Sequence, residues 1–227
     1  IFLWEYCAER GINLQTIDFW NPEKANTNDI YVSFDHKFFL RRWYWKRRNP
    51  LYKTVNLVQF KKRILFHFEP PVVMPEVRYL TNTMLNMYDT AFFTWKIEDA
   101  KMNYFHTPQA HNKVLAQYWG KQNRKFLTLI NSNRSSLSRY KELFSERVRA
   151  ILHFGKTDEI DLYGFGWNKP PLFPYWFKKG VIQQVYKGSV QDKYDTLSNY
   201  TFAFAYENCV LPGYITDNMF DCFFTGT

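Results

Sequence analysis

Phe204-Ala205-Tyr206-Glu207-Asn208-Cys209-Val210-Leu211-Pro212-Gly213-Tyr214-Ile215-Thr216-Asp217-Asn218-Met219-Phe220 reads as a β-strand, an acidic-amide turn, a loop and the start of a helix. Pro212 and Gly213 punctuate the loop, and Thr216 is a good N-cap for a helix over 217–224 that stops near Gly226. A helix N-terminus presents unpaired N–H groups and about half a positive charge, which suits a diphosphate. An acidic residue in its first turn can accept from ribose hydroxyls. Spacing alone leaves two readings open: a nucleotide cradle, or an ordinary strand–loop–helix with a capping Asp217.

Upstream of that stretch the same alternation recurs. Strands are expected over 125–130, 160–164 and 200–206, and helices over 138–154 and 194–198. Leu143, Phe144, Val148, Ile151 and Leu152 share one face of the longer helix, and Gly155 ends it. Residues 166–180, with Pro170, Pro171 and Pro174, are a loop, and 181–185 is a short strand or part of that loop. Before the polar stretch 120–125 the pattern is similar. A helix over 1–10 closes at Gly11, strands are expected over 12–17, 29–34, 63–68 and 90–95, and a helix over 74–87. The basic, aromatic run 41–48 is a further helix. Strands alternating with helices predict parallel sheets covered on both faces. The expectation is an α/β protein of two Rossmann-like domains facing a cleft, 1–122 and 123–227, the second incomplete. In open α/β sheets ligands bind beyond the carboxyl ends of strands, which singles out Glu69, Ser132-Asn133, Gly164 and Glu207-Asn208.

Composition narrows the classes of function. The chain has 227 residues and 46% are hydrophobic, so it can bury a core. Aromatics reach 20%, which suits packing on sugar C–H faces and equally suits an ordinary core. The net charge of +9 and pI near 9.3 imply an anionic partner. Much of the excess lies in Arg41–Arg48 and Lys61-Lys62-Arg63, which is either a surface for an anionic membrane or a solvated helix face; nucleic-acid binding is the weakest reading. Cys7, Cys209 and Cys222 show no metal-ligand or disulfide spacing, and the five histidines form no HExxH. No apolar run approaches the ~18 residues of a membrane span, and no signal peptide is visible. The chain starts at Ile1 inside a hydrophobic pattern and is expected to lack segments at both ends.

The opening stretch resembles the signature of the α-1,3/4-fucosyltransferase family (glycosyltransferase family 10), Phe-Glu-Asn-Ser followed after four variable residues by Tyr-Val/Ile-Thr-Glu-Lys. Here it reads Tyr206-Glu207-Asn208-Cys209 and Tyr214-Ile215-Thr216-Asp217-Asn218. Phe68-Glu69-Pro70-Pro71 is similar to the family's Phe-Glu-Pro-Pro turn, Glu146-Arg147-Val148-Arg149 to its Ala-Arg-Val-Arg helix start, and Ile160-Asp161-Leu162-Tyr163-Gly164 to its Val-Asp-Val-Tyr-Gly strand. These motifs stand in the family's order across residues 68–218.

The resemblance implies a GT-B fold, GDP-fucose as donor, inversion at the sugar carbon and an oligosaccharide or lipopolysaccharide-type acceptor containing N-acetylglucosamine. It implies Glu69 as general base and Arg147 on the donor diphosphate. It further implies donor contacts from Ser132, Asn133, Tyr163, Gly164, Glu207, Asn208, Tyr214 and Thr216, with Asp217 on the ribose. No cofactor or metal is expected; Asp158-Glu159-Ile160-Asp161 lacks DxD spacing. Asn218 stands where the family has a diphosphate lysine, and Arg149 or Lys169 is the expected substitute cation. The departure keeps open a different nucleotide-sugar donor, or a non-catalytic nucleotide- or glycan-binding paralogue. The expected location is the cytoplasm, peripheral to a bacterial inner membrane, or the Golgi membrane in a eukaryote.

Overall fold

The computed structural model of the chain describes residues 2–16, 19–24, 26–35, 57–75, 77–78, 82, 85–97, 102–136, 141–169 and 179–227. The protein is α/β and carries two sheets, one with strands in the order β1-β2-β3-β4 and one in the order β6-β5-β7. The strands are β1 Ile30–Phe34, β2 Lys62–His67, β3 Thr90–Phe93, β4 Met102–Tyr104, β5 Lys125–Ile130, β6 Ile160–Tyr163 and β7 Tyr200–Ala203. The helices are α1 Phe2–Ala8, α2 Phe144–Phe154, α3 Lys179–Val185, α4 Lys193–Ser198 and α5 Asp217–Thr225. The chain divides into two compact units, Ile1–His67 with Leu80–Phe92, and Phe68–Tyr79 with Phe93–Thr227. The point 122–123 lies inside the second unit, and so does Glu69.

In the first unit β1 and β2 are parallel, with Ile30 opposite Lys62 and Phe34 opposite Phe66. Phe34, Phe66 and Phe92 stack across the three strands, at centroid separations of 5.8 and 4.9 Å. Asp89 fastens the start of β3. It accepts from the Arg63 amide at 2.7 Å and from the Arg63 guanidinium at 2.7 and 3.0 Å, while its own amide donates to the Arg63 carbonyl. The hydrogen-bonded Arg63 holds the Asp89 carboxyl down to about 2. A depressed acid contributes stability above its unfolded value near ~4 and loses it as pH falls through the folded value. Asp89→Asn should therefore cost at most about 1 kcal/mol at neutral pH, since Asp89 is partly solvated. The gap from wild type should close between about pH 4 and about 2. Urea melts across that range measure it.

Residues 12–16, expected as a strand, have no regular structure; the Phe19 and Trp20 amides turn back onto the Thr16 carbonyl. Strand β4 was not expected. The run 41–48 lies outside the described residues. Within the expected helix 74–87, residues 77, 78, 82 and 85 have helical backbone.

In the second unit β5 lies between parallel neighbours, Leu127 opposite Ile160 of β6 and Lys125 opposite Tyr200 of β7. Leu127, Thr128 and Leu129 are buried in succession, as expected of a strand covered on both faces. Helix α2 buries Phe144, Arg147, Val148 and Ile151, a 3.6-residue stripe. Leu127, Leu129, Val148, Ile151, Ile160, Leu162, Trp167, Ile182 and Val185 form one core cluster. Each aliphatic side chain buried there contributes about 1.5–3 kcal/mol.

Two expectations change. Helix α2 starts at Phe144 rather than 138, because residues 141–143 pair with the chain after β7: Leu143 N–H donates to Asn208 O, and Val210 N–H to Lys141 O. Residues 181–185 belong to helix α3, not a strand; Ile182 and Val185, three apart, point into the core. Because β6 and β7 flank β5 on opposite sides, strand order reverses beside β5. That is a topological switch point, where open α/β sheets form a crevice beyond the strands' carboxyl ends.

Candidate functional site

The exit of β7 is held from two directions. Glu207 accepts from Thr216 N at 2.8 Å and Thr216 Oγ1 at 2.7 Å, joining the end of the strand to the N-cap of α5. Thr216 Oγ1 in turn caps the Asn218 amide. From the other side Arg147, 3% exposed, donates through Nη2 to Tyr206 O at 3.2 Å, Glu207 O at 2.7 Å and Asn208 Oδ1 at 3.1 Å. Its Nε is buried without a hydrogen-bond partner among the described residues. Burial lowers the Arg147 guanidinium to about 10, and burial raises the Glu207 carboxyl. Arg147 thus positions the turn 206–208.

The loop between turn and helix is equally fixed. Gly213 has φ +76°, and a Cβ there would come within 2.9 Å of the Tyr104 ring. Tyr104 donates its hydroxyl to Gly213 O at 2.8 Å, and Lys96 N–H donates to Pro212 O at 2.7 Å. This delivers Tyr214, 6% exposed, to Asn208 Nδ2, which donates to its hydroxyl at 3.4 Å. Burial raises the Tyr214 phenol, and the charges of Cys209, Glu207 and Glu69 raise it further. Glu69 therefore lies within electrostatic reach of Tyr214.

Glu69, half-buried, sits in the Pro70-Pro71 turn. Val73 and Met74 N–H both close on Pro70 O, so the turn is locally hydrogen-bonded. Thr94 donates to Phe68 O at 3.1 Å, and Ser136 donates to Val72 O at 2.8 Å, which ties the turn to the segment leaving β5.

The exits of β5 and β6 are stitched together. Asn133 N–H donates to Phe165 O, and its Nδ2 to Gly166 O at 3.0 Å and Lys169 O at 3.3 Å; Trp167 donates to Asn131 O at 2.6 Å. Gly164 has φ +128°, and a Cβ there would lie 2.0 Å from Asn131 O, so only glycine fits. Ser132 is half-buried in the same loop. Tyr163 goes elsewhere: its hydroxyl meets Tyr200's at 2.9 Å, and Tyr200 donates to Asp161 at 2.6 Å.

The structure thus joins Arg147, Glu207, Asn208, Tyr214, Thr216 and Asn218 in one contact network, with Glu69 acting on Tyr214. Ser132, Asn133 and Gly164 lie at neighbouring strand ends. Asp217 is exposed at the first turn of α5. Of the substitute cations expected for Asn218, Arg149 pairs with Glu146 on α2 and Lys169 is exposed after β6. A third cation, Lys193 of α4, meets Asn218 instead, donating to Oδ1 at 3.3 Å. Nothing in the linear pattern announces it. Glu142, which accepts from Ser145 at the start of α2, and Tyr104 were likewise not anticipated.

Among the described residues, no group of three or more His, Cys, Asp or Glu is arranged to hold a metal ion, and no helix is long and apolar enough to cross a membrane. Compared with protein-family models and with curated proteins, the chain matches none.

Proposed function

We propose that this chain is an inverting glycosyltransferase of GT-B type, similar to the α-1,3/4-fucosyltransferases. It moves fucose from GDP-fucose to a hydroxyl of an N-acetylglucosamine-containing glycan. The observation that supports this reading most is the hydrogen-bonded network of Tyr214, Asn208, Arg147 and Glu207 at the switch point of a parallel sheet, with the Glu69 charge felt at Tyr214. In the proposed reaction Glu69 takes the proton of the acceptor hydroxyl as its oxygen attacks the sugar's anomeric carbon. The bond to the β-phosphate oxygen breaks on the opposite face, and GDP leaves with the bonding electrons. The charge that develops on GDP meets the N–H groups at the first turn of α5. Arg147, already committed to three acceptors on 206–208, acts by fixing the turn that leads there. The acceptor is an oligosaccharide or a lipopolysaccharide-type glycan, and the enzyme works at the periphery of an anionic membrane.

The donor assignment is tested by thermal shift. GDP at about 100 times its Kd should stabilise the folded chain by about 2.7 kcal/mol, whereas UDP at the same concentration should leave the melting temperature unchanged. Equal shifts with both nucleotides would remove GDP as the specific carrier; no shift with either would remove the nucleotide reading.

A further inference from the structure

Lys193 and Asn218 stand out because they bring a cation to the start of a helix whose first two turns hold Asp217 and Asp221. Lys193 opens α4, whose N-cap Asp192 accepts from the Asp195 amide at 3.0 Å. Its ammonium lies 2.5 Å from Asp221 Oδ2 and 3.5 Å from Asp217 Oδ2, and it donates to Asn218 Oδ1 at 3.3 Å. Asp221 is 4% exposed, and the Lys193 ammonium balances its charge within the protein. Lys193 keeps 29% of its side chain exposed, and Asp217 keeps 60%. The ammonium therefore faces both the interior, through Asp221, and solvent at the tip of α5.

The amide of Asn218 fixes this arrangement. Its Oδ1 accepts from Lys193 while its Nδ2 donates to Tyr206 O at 3.3 Å. That carbonyl also accepts from Arg147 at 3.2 Å. A single peptide at the end of β7 is thus linked to one cation directly and to a second through one amide. Two positive groups, from α2 and α4, converge on the crevice side of the switch point, beside the first turn of α5. Arg147, almost wholly buried, has an Nε without a hydrogen-bond partner among the described residues. A lysine at 218 would share its place with the Lys193 ammonium; an asparagine accepts from it.

We propose that Lys193 is a second positioning cation of this site, held by Asn218 and Asp221, and that it contacts the terminal phosphate of a bound nucleoside diphosphate. The proposal rests on the nucleotide reading above and adds to it the residue that replaces the missing charge at 218. Binding needs only a rotation of the exposed ammonium away from Asp217, with Asp221 retained as its anchor.

The test is calorimetric titration of the whole chain with GDP and with guanosine, which shares the base and ribose and lacks phosphate. Lys193→Met alone would strand the buried Asp221, so the variant measured is Lys193→Met/Asp221→Asn, with Lys193→Arg as the conservative control. The double variant should bind GDP about tenfold more weakly, the worth of one charge-assisted contact. Guanosine affinity should be unchanged, and Lys193→Arg should recover most of the GDP affinity. Equal loss for GDP and guanosine would make Lys193 a structural residue and overturn the proposal. So would unchanged GDP binding in the double variant, and that result would leave the nucleotide reading standing. If the wild-type chain binds neither ligand, the nucleotide reading itself falls.

Discussion

Glu69→Gln is expected to lower the rate of sugar transfer by about 10²–10⁴-fold, the usual contribution of a positioned general base. It should also leave the melting shift induced by GDP in place. The separation follows from the site's construction. The groups proposed to meet the nucleotide come from the exits of β5, β6 and β7 and from α5. Glu69 enters from the Pro70-Pro71 turn and reaches that network by its charge on Tyr214. Gln keeps the side chain's size and its ability to accept one hydrogen bond but cannot take a proton. The turn is tied through the Phe68 and Val72 carbonyls, and Gln keeps the side chain's shape, so the substitution should not release it. Transfer is measured with saturating donor and a panel of N-acetylglucosamine-containing acceptors, and binding by GDP-induced thermal shift. Transfer at the wild-type rate in Glu69→Gln would leave the proposed reaction without its base. A parallel loss of GDP stabilisation would mean that Glu69 supports the fold of the site instead.

The second unit was largely legible in the sequence because its elements are decided locally. The β-branched and apolar run 125–130 and the 3.6-residue stripe of 144–151 each bury one continuous surface, and their periods say so directly. Thr216 and Gly226 bracket α5 as the capping rules require: one accepts from the Asn218 amide and the other adopts the left-handed C-cap. The errors lie where distant chain decides. The start of α2 is set by pairing with 208–210, which no local pattern can encode. Three of residues 181–185 are β-branched, yet the segment is helical, because the core takes Ile182 and Val185 from one helix face. The site shows the same division. Glu207, Asn208 and Thr216 were visible as a turn before a capped helix. The Lys193 ammonium comes from another helix, and only packing of α4 against α5 brings it to Asn218. Tyr163 was placed with the site by the family resemblance of 160–164, but its hydroxyl is taken up by Tyr200.

Arg147→Met should be the most destabilising single change at the site, costing about 3 kcal/mol, because buried acceptors lose a charged donor. Methionine refills much of the volume, so the loss is electrostatic. Tyr206 O would keep the Asn218 amide, but Glu207 O would lose its 2.7 Å donor and Asn208 Oδ1 its 3.1 Å donor. A further effect falls on Glu207. Burial already raises its carboxyl, and the Arg147 charge opposes that rise. Without the arginine the carboxyl should rise further. The sign of the pH dependence follows: an acid whose folded value is raised destabilises the fold above that value, and the cost disappears as pH falls toward the unfolded value near ~4.3. Arg147→Met should therefore regain part of its lost stability as pH is lowered from neutral toward about 5, the reverse of ordinary acid sensitivity. Glu207→Gln in the Arg147→Met background should recover much of the loss at pH 7 and flatten the pH dependence, because an amide can still accept from Thr216 without carrying charge. Denaturant melts of the two variants between pH 5 and 8 decide it. A loss in Arg147→Met that is independent of pH and not reduced by Glu207→Gln would show that Arg147 holds the 206–208 turn through its backbone hydrogen bonds alone.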